Sequence, residues 1–369
     1  MVKKWRIGLL CGLAMLAGGC TQLGYFVQAA QGQLSLMAQA RPIDDWLADP
    51  AAADKLKARL ARVKEIRHFA AHTLGLPDNG TFTTYAELKR PYVLWNVVAT
   101  PTLSLQARQW CFPIAGCVNY RGYYSKEEAQ TYAAALRSEH YDVQISGVPA
   151  YSTLGWFDDP VLSTFVEYPE AELARLMFHE LAHQVAYVPG DSRFNESFAV
   201  AVEEVGVERW LDTYGDEKMR AGYRAQTARK QDFLALLLKT RQALQANYAS
   251  TASDQQKNTN KMQIFQSMQE DYRTLKQGWG GYAGYDRWFA EPLNNAHLAL
   301  VATYHDFVPG FRALLHQEKD LGKFYAAVRT LAALDQSQRS QRLAGLVPVI
   351  PAPGQAVMAE GEGLLAHNH

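Results

Sequence analysis

The sequence predicts an α+β fold, with a mixed sheet region in the first half and a mainly helical second half. Two patterns carry this expectation. β-branched and aromatic residues cluster with partial alternation between about residues 91 and 153, whereas apolar residues recur at helical spacing from Pro169 onward. The 369 residues are 48% hydrophobic, enough for a substantial core, and 37 basic side chains balance 37 acidic ones. That balance offers no phosphate-binding surface, so nucleic acid is not expected as a partner.

The chain opens with "MVKKWRIGLLCGLAMLAGGC", a basic start followed by an apolar run and small residues, which reads as a secretory signal over residues 1–19. The run is too short for a permanent anchor helix. Small residues directly before Cys20 resemble a bacterial lipobox, which implies lipidation at Cys20, although Ala17 stands where leucine is usual. Cys11 has too few apolar residues before it to compete. Thr21 in place of aspartate resembles lipoproteins sorted to an outer membrane, so the expected location is the periplasmic side of the bacterial envelope. The two remaining cysteines, in "WCFPIAGCVNY", predict a Cys111–Cys117 disulfide in an oxidising compartment.

Residues 40–76 carry Trp46, Leu47, Leu56, Leu60, Val63, Ile66 and Phe69 at helical spacing and read as helical up to Gly75. "PYVLWNVVATPTLSLQARQWCF" and "VNYRGYY" read as strands. "SKEEAQTYAAALRSEHY" opens with a capping-box pattern at Ser125, and "DVQISGVPAYST" reads as a returning strand. The N-terminal α/β region is thus expected over 20–168, and a helical region over 169–345. The latter holds a helix in "PEAELARLMFHELAHQVAYV", a turn in "PGDSRF", a helix in "NESFAVAVEEVGVERWLDTYG", two helices joined by "ASTASDQQKNTN", and further helix from about 287 to 334. Residues 346–369, rich in Pro and Gly, are expected to be loosely ordered.

"HELAH" is the segment with the most chemical content. Residues four apart on a helix lie about 40° apart around its axis, so His179 and His183 can aim two imidazoles at one ion. Glu180 then lies within reach of a water at that ion. A catalytic zinc needs a third protein ligand and an open position. A turn at Pro189 and Gly190 would fold the next helix back and bring Glu196 opposite the histidines as that ligand. Glu203, two turns on, is expected to hydrogen-bond a ligating histidine. Glu204 is the fallback if the helix is rotated.

"HELAH" followed by "NESFA" resembles the gluzincin peptidases, in which a helical HExxH is followed by an Asn-Glu pair. "CFPIAGCVNYRGYY", "AYSTLGWFDDPVLST", "FHELAHQ", "FNESFA" and "LNNAHL" extend the resemblance, over most of the chain, to a bacterial family of zinc aminopeptidases that are typically lipoproteins. The resemblance implies a zincin-like helical half, one zinc ion held by His179, His183 and Glu196, and Glu180 as general base. Two departures stand. The gap from His183 to Glu196 is thirteen residues, shorter than in well-known gluzincins, which keeps Glu203 and Glu204 as alternatives. The Gly-x-Met-Glu-Asn strand that holds the free amine in many aminopeptidases is missing.

For the remaining roles, "VPAYSTLGWFDDPVLSTF" is expected to supply an edge strand for an extended peptide. Asp158 and Asp159 could hold a substrate amine, or simply form a turn. Tyr285 is the expected oxyanion donor, with Tyr282 and His297 nearby in sequence. The expectation is an exported zinc metallopeptidase, an aminopeptidase acting on peptides and tethered to a membrane through Cys20. The rivals are an envelope endopeptidase and a non-catalytic lipoprotein whose structural metal site supports binding of a protein partner.

Overall fold

The computed structural model describes residues 24–112, 116–301 and 307–347. The expected signal segment, Cys20 and the tail beyond Val347 lie outside these residues. The fold is α+β, with short sheets in the N-terminal half and a helical C-terminal half.

A helix over residues 24–39, α1, packs on the sheet region through Tyr25, whose ring lies 4.0 Å from the guanidinium carbon of buried Arg121. The expected helix over 40–76 is divided into α2 (Ile43–Ala48) and α3 (Asp54–His72). Pro50 cannot continue a helix, and the Asp49 carboxylate accepts from the Ala51 N–H at 2.9 Å to form the turn between them. Three strands form the main antiparallel sheet: β3 (Leu94–Pro101) lies between β6 (Arg121–Tyr123) and β7 (Tyr141–Val148), so β7 is an edge. α4 (Lys126–Ser138) covers one face of it, with Ser125 accepting from the Glu128 N–H at 3.1 Å as N-cap. A second small sheet has the order β1 (Arg41–Pro42), β2 (Thr84–Ala86), β8 (Val161–Leu162). The hairpin of β4 (Trp110–Phe112) and β5 (Gly116–Val118) is closed by the Cys111–Cys117 disulfide.

Residues 149–160 are not the expected edge strand. Asp159 Oδ2 accepts from the backbone N–H and hydroxyl of Thr153 at 2.7 and 3.0 Å, and Leu154 and Gly155 take positive φ, which together turn the segment into a loop. One edge of the main sheet is β7, which runs into Pro149 and Ala150.

Two antiparallel helices form the centre of the largest core: α5 (Glu170–Val185) and α6 (Ser192–Tyr214). Phe178, Leu181, Phe198 and Val202 are buried between them and their neighbours, and Trp210 Nε1 donates to Glu170 at 3.1 Å, tying the end of α6 to the start of α5. Behind α6 pack α11 (Val308–Glu318), α12 (Leu321–Ala332) and α13 (Gln336–Gly345), through Phe311 and Phe324. A hairpin of long helices, α7 (Glu217–Ala249) and α8 (Asp254–Gly278), buries Leu236, Leu244, Phe265 and Met268. Its turn is shorter than expected because Ser253 caps α8, its hydroxyl accepting from the Gln256 N–H. α9 (Asp286–Phe289) and α10 (Asn295–Ala299) join this hairpin to the sheet, where Asn295 donates to the carbonyls of Pro101, Thr102 and Ser104.

Close approach of α5 and α6 requires Gly206. A Cβ there would lie 2.6 Å from Cδ2 of Phe178 and 3.0 Å from Leu74 Cδ1, both inside the core. We predict that Gly206→Ala destabilises the fold by about 1–3 kcal/mol, because overpacking outweighs alanine's better helix propensity. A lowered urea midpoint with unchanged slope would show it; equal or greater stability would refute it.

Candidate metal centre

Only five residues separate the last residue of α5 from the cap of α6, and their conformation decides what α6 presents. Asn195, fully enclosed, spans this connection: its Oδ1 accepts from the Val188 N–H at 2.8 Å and its Nδ2 donates to the Val188 carbonyl at 2.9 Å. Asp191 accepts from the Phe194 N–H at 3.1 Å as N-cap and forms a buried ion pair with Arg339 of α13 at 2.7 Å. Held at both ends, α6 doubles back and its first turn faces the last turns of α5.

As a result His179, His183 and Glu196 each direct one ligand atom into a common volume, all within 4.8 Å of one another. Glu196 Oε2 lies 3.3 Å from His179 Nε2, and Oε1 lies 3.8 Å from His183 Nε2. Ligands about 2.1 Å from a tetrahedral ion sit roughly 3.4 Å apart, so the two carboxylate-to-imidazole spacings fit a zinc ion. The donor chemistry agrees. Burial holds His183 down, to about 4, which leaves its ring neutral as a ligand must be. Burial would also lower His179, but the carboxylates of Glu196 and Glu203 prevail and push it up to about 10, so this donor set attracts a cation. Glu196 stays below the usual carboxylate range because the two histidines outweigh its burial.

Glu203 lies one layer behind. Its Oε2 accepts from His179 Nδ1 and from Arg175 Nη1, each at 2.8 Å, and Arg175 Nε donates to Glu172 at 2.8 Å. Burial alone would raise Glu203, yet Arg175, His179 and Lys230 pull it to about 2. This leaves the Nε2 atom of His179 for an ion. Glu204 points away and forms a two-pronged pair with Arg312 at 2.6 and 2.7 Å.

Glu180 faces a cleft of about 370 Å³ that it shares with His179, Pro149, Ala150, Glu203 and Lys230. It makes no hydrogen bond or ion pair with any described residue, and burial pushes its carboxyl up to about 7.

Tyr285 does not face these groups. Its ring stacks on Phe233 with centroids 4.0 Å apart in the aromatic cluster of α7 to α9, and its charged neighbours are Glu172 and Arg229 rather than Glu180 or Glu196. The "GWGGYAGYDRWF" segment is apolar enough that ring packing decides its position. His297 is likewise structural, accepting from the Asn294 N–H within the cap of α10. Among the described residues, Tyr120 and Tyr187 are phenols that interact electrostatically with the carboxylates of the candidate metal centre. Burial, together with Glu196, Tyr187 and Glu180, raises Tyr120 well above its ordinary value, and burial with Glu196 raises Tyr187. Tyr120 follows the disulfide hairpin, whose Gly116 at φ +72° packs so tightly on the α5–α6 turn that a Cβ would lie 2.7 Å from the Gly190 nitrogen. The only sequence signal for Tyr120 was its place within "CFPIAGCVNYRGYY".

A family model described as "Putative aminopeptidase" matches residues 24–343. The chain belongs to this family. The match spans the sheet region, the disulfide hairpin, both central helices and the C-terminal helices, so the family description covers all the elements that meet at the cluster. No curated protein and no solved structure matches the chain.

If Glu203 orients His179, Glu203→Gln should lower zinc affinity about 10–100-fold while the fold persists. Competition with a chromogenic chelator measures this, and unchanged affinity would refute the orienting role.

Proposed function

We propose that the protein is a zinc metallopeptidase, an aminopeptidase exported across the inner membrane and lipid-anchored through Cys20 on the periplasmic side of the envelope. The observation that supports the catalytic reading best is the convergence of three ligand atoms, from His179, His183 and Glu196, beside a cleft that His179 shares with Glu180, a separate carboxylate with no hydrogen-bond or ion-pair partner among the described residues. His179, His183 and Glu196 would hold the zinc, which when bound polarises a carbonyl and makes water more acidic.

The protein's own groups supply the proton transfers. Glu180 takes a proton from the attacking water and delivers it to the departing amine. Tyr120 donates its hydroxyl to the oxygen that gains charge as the carbonyl becomes tetrahedral. Edge strand β7, ending beside the cleft at Pro149 and Ala150, pairs with no other described strand on its outer side, along which an extended peptide can lie. Asp159 takes no part in binding the amine, because its carboxylate clamps the loop at Thr153. A purely structural zinc calls for four protein ligands, and among the described residues the cluster has three.

Four substitutions test this. Glu180→Gln should retain zinc and lose about 10²–10⁴ in kcat, whereas His183→Ala should lose both metal and turnover. Tyr120→Phe should lower kcat by about 10²-fold with little change in KM, and Tyr285→Phe should not. A fully active Glu180→Gln enzyme would overturn the scheme. Mass spectrometry of peptides with free and acetylated amino termini separates exopeptidase from endopeptidase: single-residue loss from only the free-amine set supports the aminopeptidase, and internal cuts in both sets refute it.

A further inference from the structure

Resting on the peptidase reading, we propose that Lys230 of α7 recognises a carboxylate on the substrate and so selects peptides that place one beside the scissile bond. Lys230 lines the same cleft as His179 and Glu180, and its side chain is 49% exposed. Among the described residues its ion-pair partner is Glu203, whose Oε1 lies at 3.7 Å, beyond hydrogen-bond length. Glu203 is already satisfied through its other oxygen, which accepts from both Arg175 and His179 at 2.8 Å. An ammonium carries three N–H donors, and Lys230 therefore keeps donors for a ligand.

The other charges of the cleft are committed elsewhere. Arg175 is held between Glu172 and Glu203, and Glu196 faces the two histidines. Glu180 is the proton carrier. Among the described residues that line the cleft, the charged group available to a ligand's end is thus a cation. Pro149, Ala150, Leu176 and Val200 supply the apolar remainder of the wall, which strengthens a charge pair formed against it. The matching chemistry is a carboxylate, either the C-terminal carboxylate of a short peptide or an acidic side chain close to the cleavage point.

Calorimetric titration of the zinc-loaded Glu180→Gln chain, which binds without turnover, tests this with three peptides: trialanine, its C-terminal amide, and an amidated tripeptide ending in glutamate. The chain with Lys230 should bind at least one carboxylate-bearing peptide about tenfold more tightly than trialanine amide, the strength of one charge-assisted contact. Lys230→Met should bring that ratio close to one, and Lys230→Arg should preserve it. Preference for trialanine alone identifies the terminal carboxylate as the target; preference for the glutamate peptide alone identifies a side chain. Equal affinity for all three, binding of none, or a preference that survives Lys230→Met would overturn the proposal. Cleavage of trialanine amide by the unsubstituted chain reports separately on the peptidase reading, so either can fail alone.

Discussion

The centre depends on one constraint: the short connection between α5 and α6 must reverse the chain within a single turn. Asn195 enforces the reversal by pairing both polar ends of its amide with the backbone of Val188. An asparagine can do this because it presents donor and acceptor on one rigid plane. Because Glu196 is the next residue, the side chain that sets the turn also sets the rotation at which the carboxylate meets the histidines. The Asp191–Arg339 pair extends the constraint outward by tying the cap of α6 to α13. Breaking such a buried pair costs about 3–5 kcal/mol, so the outer helices contribute to holding the centre.

Behind the cluster, charge alternates from Glu172 through Arg175 and Glu203 to His179. Taking ions out of water costs several kcal/mol each, and this row is tolerable because each member meets an opposite charge or a hydrogen-bonding imidazole. Its consequence is chemical as well as structural. Glu203 binds Nδ1 of His179 and leaves Nε2 to face Glu196, which sets the tautomer suited to a metal ligand. Glu180, on the same helix, makes no hydrogen bond to this network among the described residues and lines the cleft instead.

The N-terminal half contributes by proximity. The disulfide hairpin packs on the α5–α6 turn at Gly190 and brings Tyr120 near Glu180 and Glu196, while β7 ends at the cleft. The same turn therefore organises the cluster of His179, His183 and Glu196 on one side and carries the hairpin on the other. α7 completes the cleft with Lys230, from a helix hairpin whose own core is separate from that of α5 and α6.

By itself the sequence determined what depends on local periodicity. It indicated an α+β chain, helical spacing through "HELAH" that places His179 and His183 on one face, and a helix restarting at the "NESFA" segment. Helical geometry repeats at fixed intervals, so such features are legible from spacing alone. Where separate segments must meet, spacing says little. That Glu196 rather than Glu203 or Glu204 meets the Nε2 atoms of both histidines follows from the rotation of α6, which Asn195 sets through hydrogen bonds that no periodicity reveals. Tyr120 and Lys230 come to the centre from elements distant in sequence from His179, and no spacing fixes how those elements pack against α5. Tyr285 is drawn instead into an aromatic cluster, because stacking on Phe233 buries a ring that the loop would otherwise leave in water.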